Sequence, residues 1–280
     1  MKPTFDIHIH LWQRPMDGLP VATLRSGQRD QLNVMLALMD KHGVQTACAV
    51  AACVKNEQDN HEFVAAVCRE MPDRFVMFSE IPLASPKRDE LLKRTIEDWP
   101  AVGFRFAVAD QNQPESWSGG KLDDFWARAD DARLGACFNY GVPVCAGLGQ
   151  LIERYPNITW IPDHLGRPSP EMAVDDFHPV LDLAQFPNVY VKVSAFYAFS
   201  GADAGYPYQD LYRFVVALRD AFGRERLMWG SDVPPMLETG TYPQSYQCLE
   251  KIDELGTDDL EWIFGRSARQ LFEKLGKPGA

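Results

Sequence analysis

The stretch FDIHIHLW occupies Phe5–Trp12, and its alternation sets how the rest of the chain is read. In a β-strand, alternate side chains share a face. On that pattern Asp6, His8 and His10 line one face, while Phe5, Ile7, Ile9 and Leu11 pack on the other. Packing rarely calls for two neighbouring imidazoles. They suit a metal ion, a developing negative charge or a proton relay.

Outward from this strand, one unit recurs: a short apolar run, a loop, then an amphipathic segment. Strands are expected at 5–10, 44–53, 74–80, 101–107, 134–139, 158–163, 188–193 and 226–231. Helices are expected at 28–42, 59–70, 86–98, 122–132, 145–155, 175–185, 208–222, 242–255 and 257–275. In 28–42, Leu32, Met35, Leu36 and Met39 have helical spacing. His42-Gly43 and Tyr155-Pro156-Asn157 supply stop signals. No repeat, low-complexity tract or long linker interrupts the pattern.

Strand–helix alternation implies parallel pairing through right-handed crossovers. Eight such units in about 250 residues are the arithmetic of a (β/α)₈ TIM barrel, an α/β fold. Residues 1–280 then form a single domain. A doubly wound open sheet would usually carry a Gly-rich phosphate loop after an early strand, and none is present. In a barrel, functional side chains sit at the C-terminal ends of strands. Those ends here carry His8 and His10, Glu80, Arg105, Asn139, Asp163-His164, Lys192 and Ser194, and Ser231-Asp232.

Composition narrows the partners. The formal charge of -11 argues against a nucleic-acid surface, which needs a basic patch. No apolar stretch approaches transmembrane length. The six cysteines show no C-x-x-C pair, and most lie in apolar runs. With no signal-like N-terminus, they read as reduced thiols of a cytoplasmic protein. Oligomeric state is left open.

The segments DIHIH, IPDHLGRP and MWGSDVP, in that order and spacing, resemble the amidohydrolase superfamily. Within it they resemble the amidohydrolase-related group that includes sugar-lactone and dicarboxylate lactonases. The resemblance runs from Asp6 to the helix near Leu260 and implies the same barrel. It implies that His8, His10, His164 and Asp232 are catalytic, with Asp232 deprotonating water and His164 helping to polarise a carbonyl. Arg105 in GFRF and Arg167 resemble arginines that bind a substrate carboxylate. Asn139 and Tyr197 join them as pocket candidates by strand order.

The departures bear on the cofactor. The fifth strand reads ACFNY, without the usual histidine, and Arg105 replaces the bridging lysine or glutamate of dinuclear members. The expectation is therefore no metal or one divalent ion, zinc if any, held by His8, His10 and Asp232. The missing histidine tips the reading toward the metal-free form. Further arginines of dicarboxylate lactonases are missing around Gln111 and Tyr197, which points to a mono-anionic or neutral hydroxylated lactone.

These residue types suit lactone hydrolysis: a base for water, donors for the oxyanion, and a proton for the leaving alkoxide. The alternatives are a metal-dependent decarboxylase or amide hydrolase, a lactone isomerase, and a barrel that only binds a small ligand. Among the other candidates, Arg105 could instead be an ion-pair partner for Glu80 or Asp232. His42 and His61 read as surface residues on helices, and His178 as a helix start. Loops 110–120 and 196–208 could form a substrate wall or plain surface.

Overall fold

Among the described residues, eight parallel strands form the barrel: β1 (Phe5–Ile9), β2 (Thr46–Val50), β3 (Phe75–Pro82), β4 (Ala101–Ala107), β5 (Gly135–Phe138), β6 (Thr159–Pro162), β7 (Val191–Ser194) and β8 (Leu227–Gly230). The computed structural model describes residues 1–12, 28–52, 59–108 and 110–276, so Cys53 lies outside the described residues. Strands β1 to β6 pair in sequence order, and β7 pairs with β8. Bridges between Trp160 and Val189 and between Ile9 and Val233 join the two sets. The ring closes where Asp232 N–H donates to the His8 carbonyl (2.8 Å) and His10 N–H donates to the Val233 carbonyl (2.8 Å).

Alternation within the strands divides the core into two layers. Cys48, Val50, Phe78, Cys137, Ile161 and Met228 fill the barrel, closed below by Leu271 and Phe272 of the helix Ser267–Lys274. Ala47, Ala49 and Ala51 face outward, toward the layer that includes Met35, Met39 and Val64 of the helices. Gly103 and Gly135 leave room for the Phe78 ring; a Cβ at either would lie within 2.7 Å of it.

Strict alternation fails in β1. Its register against β2 shifts between Asp6 and Ile9. Phe5 and Ile7 consequently belong to the inner layer, and Ile9 and Leu11 to the outer one. Asp6 does not join the histidines. Its carboxylate accepts from the N–H groups of Ser231 (2.8 Å) and His8 (3.2 Å) and from the Tyr242 hydroxyl (2.9 Å). Burial raises its pKa to about 6.

Most helices fall where expected, and the first ends at Gly43 in the left-handed region (φ 81°). Two expected helices are broken. Segment 242–255 holds only the turns Gln244–Gln247 and Leu249–Lys251. There Trp229 Nε1 takes the Ser245 carbonyl (2.9 Å), which a continuing helix would need. Segment 175–185 is three short turns around Pro179, whose missing N–H interrupts the ladder. In 257–275 the ladder widens over Trp262–Arg266, because Phe264 gives its carbonyl to Thr4 N–H (2.7 Å). Gly265 permits that approach, since a Cβ there would lie 2.0 Å from Thr4 Oγ1.

Candidate active site

The C-terminal ends of β1, β4, β6, β7 and β8 bring seven polar side chains together: His8, His10, Arg105, Asp163, His164, Lys192 and Asp232. The backbone there is unusual. After β6 the chain passes through four successive left-handed residues, His164 (φ 53°), Leu165 (60°), Gly166 (72°) and Arg167 (56°). Ala195 (55°) follows β7 and Asp232 (58°) follows β8. Only Gly166 adopts this region without steric cost; each of the others stores strain of about 1 kcal/mol or more. Such residues persist where surrounding contacts fix them, and they gather at functional sites.

Asp232 faces the histidines. Its Oδ1 lies 3.6 Å from His8 Nε2 and 3.5 Å from His10 Nε2. Its Oδ2 accepts from the Tyr197 hydroxyl at 2.7 Å. Burial opposes ionisation of Asp232, but the imidazoles, His164 foremost, outweigh it and hold the carboxyl well below the usual range. Burial and the neighbouring carboxylate push the Tyr197 phenol up. His164 Nδ1 lies 2.8 Å from Ser194 Oγ, and its ring packs 4.7 Å from that of His8. Burial depresses His164 to about 4, so it is neutral at neutral pH.

Below this layer lies an ionic one. Asp163 is fully buried, with Lys192 Nζ at 2.9 Å and Arg105 Nε at 3.1 Å. Burial disfavours all three charges, yet each cation keeps the carboxylate ionised and is itself raised by it. Lys192 also reaches His8 Nδ1 at 3.1 Å. Burial and then the Lys192 charge lower His8 well below its ordinary value, leaving a neutral imidazole.

His8 Nε2, His10 Nε2 and Asp232 Oδ1 form a triangle with edges of 3.2, 3.6 and 3.5 Å. Donors around a tetrahedral zinc at ~2.0–2.1 Å stand about 3.4 Å apart, so the spacing fits one divalent ion. His10 is also oriented as a ligand would be, since its Nδ1–H donates to the Val50 carbonyl (2.9 Å).

The remaining sequence candidates separate. Arg105 pairs with Asp163, because the guanidinium lies beside the buried end of β6, and the charges of Glu80 and Asp232 also favour it. Arg167 is exposed at the rim, where it donates to the Asn139 carbonyl (2.8 Å) and lies over the Phe199 ring (5.3 Å). Asn139 Oδ1 is buried without a hydrogen bond among the described residues. His61 is buried, not a surface residue, because its ring stacks on Trp99 at 4.7 Å. His42 is likewise buried, near Tyr242 and Tyr246. Loop 196–208 contributes Tyr197 to the site, whereas loop 110–120 buries Trp117.

In the sequence, Asp163 and Lys192 stand out only as strand-end residues, with no role attached to either. A lysine inside the apolar run VYVKV was the available signal, because a charge on a strand covered on both faces needs a buried partner.

The profile of the Amidohydrolase family matches residues 5–274. The chain belongs to that family. Over 132 residues it is 31% identical to L-fucono-1,5-lactonase of Burkholderia ambifaria, and the alignment spans 43% of either chain. The match thus covers under half the length of that curated relative. An amidohydrolase from Burkholderia multivorans, solved with zinc bound, has a TM-score of 0.78 at 19% identity, over 97% of this chain and 99% of that one. A Pseudomonas putida protein described as a 2-pyrone-4,6-dicarboxylic acid hydrolase gives 0.70 at 21% identity, with 98% of both chains covered. The 2,6-dihydroxybenzoate decarboxylase of Rhizobium gives 0.66 at 15%, over 98% of this chain and 99% of that one. At these identities the structural likeness is one of fold.

Proposed function

We propose that this amidohydrolase is a single-domain lactonase that opens a sugar-acid or related lactone with water. The observation that carries the reading is Asp232. It is an ionised carboxylate at a strand end, 3.5 to 3.6 Å from two imidazole nitrogens and held by a tyrosine hydroxyl at 2.7 Å. Water attacks the lactone carbonyl as its proton passes to Asp232. Donors from the histidine cluster stabilise the oxyanion; removing one such donor commonly costs ~10²–10³ in rate. The ring C–O bond then breaks, and protonated Asp232 returns its proton to the leaving alkoxide. Tyr197 keeps Asp232 pointed at the water.

Arg105 has five N–H donors, of which Nε faces Asp163, so others remain for a substrate carboxylate. Asn139 and Arg167 form the rim around a ring hydroxyl or carboxylate. Where a divalent ion such as zinc is bound, His8, His10 and Asp232 would hold it, and it would supply Lewis-acid polarisation of the carbonyl. The lactonase relative in Burkholderia ambifaria and the Pseudomonas putida fold neighbour support the substrate class, and the zinc in the Burkholderia multivorans neighbour supports the ion. Among the described residues, Cys48, Cys137, Cys145 and Cys248 are buried free thiols, and no helix is long and apolar enough to cross a membrane. The buried thiols support a reducing, cytoplasmic setting.

A pH-indicator screen over carboxylated and neutral sugar lactones tests the proposal. Acid release is expected, and an isomerase would give none. Asp232→Asn should lower kcat by about 10²–10⁴ with the melting temperature preserved. Silence across the panel, or near-normal turnover by the variant, overturns the reading.

A further inference from the structure

Hydrogen-bond polarity around the triangle conflicts with its spacing. An ammonium group carries three donors and no acceptor. The nitrogen of His8 that faces Lys192 at 3.1 Å is Nδ1, so Nδ1 must be the acceptor and the ring proton must sit on Nε2. Asp163, the group that could reverse this, lies 3.7 Å from Nδ1, outside hydrogen-bond range. The rest of the chain of contacts agrees. His10 donates through Nδ1–H to the Val50 carbonyl (2.9 Å), and in the neutral ring that makes Nε2 the acceptor. That acceptor stands 3.2 Å from His8 Nε2 and receives its proton. One directed sequence results: Lys192 to His8, His8 to His10, His10 to Val50. Its middle proton occupies the space between the donors that a metal ion would take.

We propose that Lys192 is a positioning residue that holds His8 in the Nε2–H tautomer, and thereby keeps one corner of the metal-spaced triangle a hydrogen-bond donor rather than a ligand. To ligate through Nε2, His8 must shift its proton to Nδ1, directly against the ammonium. Lys192 cannot turn away cheaply. It is fully buried on β7 between Val191 and Val193 of the outer layer, with Asp163 at 2.9 Å and the Phe78 ring beneath it at 5.6 Å. The site is therefore biased toward its metal-free state by a residue that touches neither metal nor substrate. Partners of ligating histidines usually strengthen metal binding, and losing one weakens it about 10–100-fold. Here the partner is of the opposite kind, so the sign reverses.

Two measurements test this, and neither uses a substrate, so their failure leaves the lactonase reading standing. In chelator-treated wild-type protein labelled with ¹⁵N-histidine, long-range ¹H–¹⁵N correlation should show His8 protonated at Nε2 and bare at Nδ1. The resonance is assigned by its loss in His8→Asn. Zinc binding, followed by competition with a chromophoric chelator, should be at least about tenfold tighter in Lys192→Met than in the wild type. Protonation of His8 at Nδ1 in the zinc-free wild type overturns the proposal. So does unchanged or weaker zinc binding in a folded Lys192→Met protein. Should that variant fail to fold, the wild-type tautomer alone decides.

Discussion

The same eight strands end in two different chemistries. At the N-terminal end, Phe5 stacks on Phe272 at 5.1 Å, and Phe78 meets that ring edge-on at 6.3 Å. At the C-terminal end, the interior holds an aspartate in contact with both a lysine and an arginine. The backbone differs in the same way. Among the described residues, seven non-glycine residues have positive φ, and five of them (His164, Leu165, Arg167, Ala195 and Asp232) lie directly after β6, β7 or β8. Strain and buried charge are both costly, and here they are concentrated in one place. The aromatic floor, with the layer of helices around it, offsets them. The floor should therefore govern how firmly the protein folds, and the mouth what it does once folded.

The most direct way to break that division is Phe272→Ala. Phe272 is buried and packs against Phe5 and Phe78, at the end of the barrel away from the histidine cluster. Truncating a buried phenylalanine lowers stability by about 3–5 kcal/mol. Urea unfolding should show a loss of that order, while kcat per folded molecule stays within about twofold. A large fall in kcat with the fold intact would mean that the two ends are coupled.

A second test works from the mouth and uses pH. His164 is neutral in the folded protein until about pH 4, against 6.5 for an ordinary histidine, because burial disfavours its charge. Between those values the unfolded chain binds a proton that the folded chain does not. Stability from this group is therefore full above pH 6.5 and is lost as pH falls toward 4. The gap corresponds to about 3 kcal/mol. In chelator-treated protein, unfolding curves at pH 7 and pH 4.5 should differ less in His164→Gln than in the wild type, by something approaching that amount. Equal pH dependence in the two proteins would show that His164 is not held neutral.

How much of this could be read in advance differs between the same two ends. All eight strands were legible, because each is a short apolar run bounded by turn signals. The histidines and Asp232 were legible because their motifs sit where a barrel keeps its chemistry. The ionic layer was not. Asp163 and Lys192 lie on strands six and seven, and nothing local says that one faces the other or that Lys192 also reaches His8. Tyr197 was placed in the pocket by strand order alone; that its hydroxyl donates to Asp232 follows from the left-handed turn at Ala195, for which the sequence carries no glycine. Nor could the shift in β1 be read. Strict alternation in DIHIH puts Asp6 beside the histidines, and only the register against β2 removes it. Local patterning gives periodicity and punctuation; it does not give which distant side chains meet.

The smallest expected effect lies at the outer edge of the mouth. Arg167 is exposed, donates to the Asn139 carbonyl at 2.8 Å and covers the Phe199 ring at 5.3 Å. Those contacts already occupy part of its guanidinium, and water screens the remainder. Arg167→Ala should therefore raise KM for a carboxylated lactone by no more than about fivefold, the scale of an exposed charge contact. For a neutral lactone KM should be unchanged, and kcat should be unchanged for both. Steady-state kinetics on a matched pair of lactones reads the difference directly. A rise of a hundredfold on the carboxylated member alone would move the boundary between rim and site, because Arg167 would then have to leave Asn139 and close over the substrate.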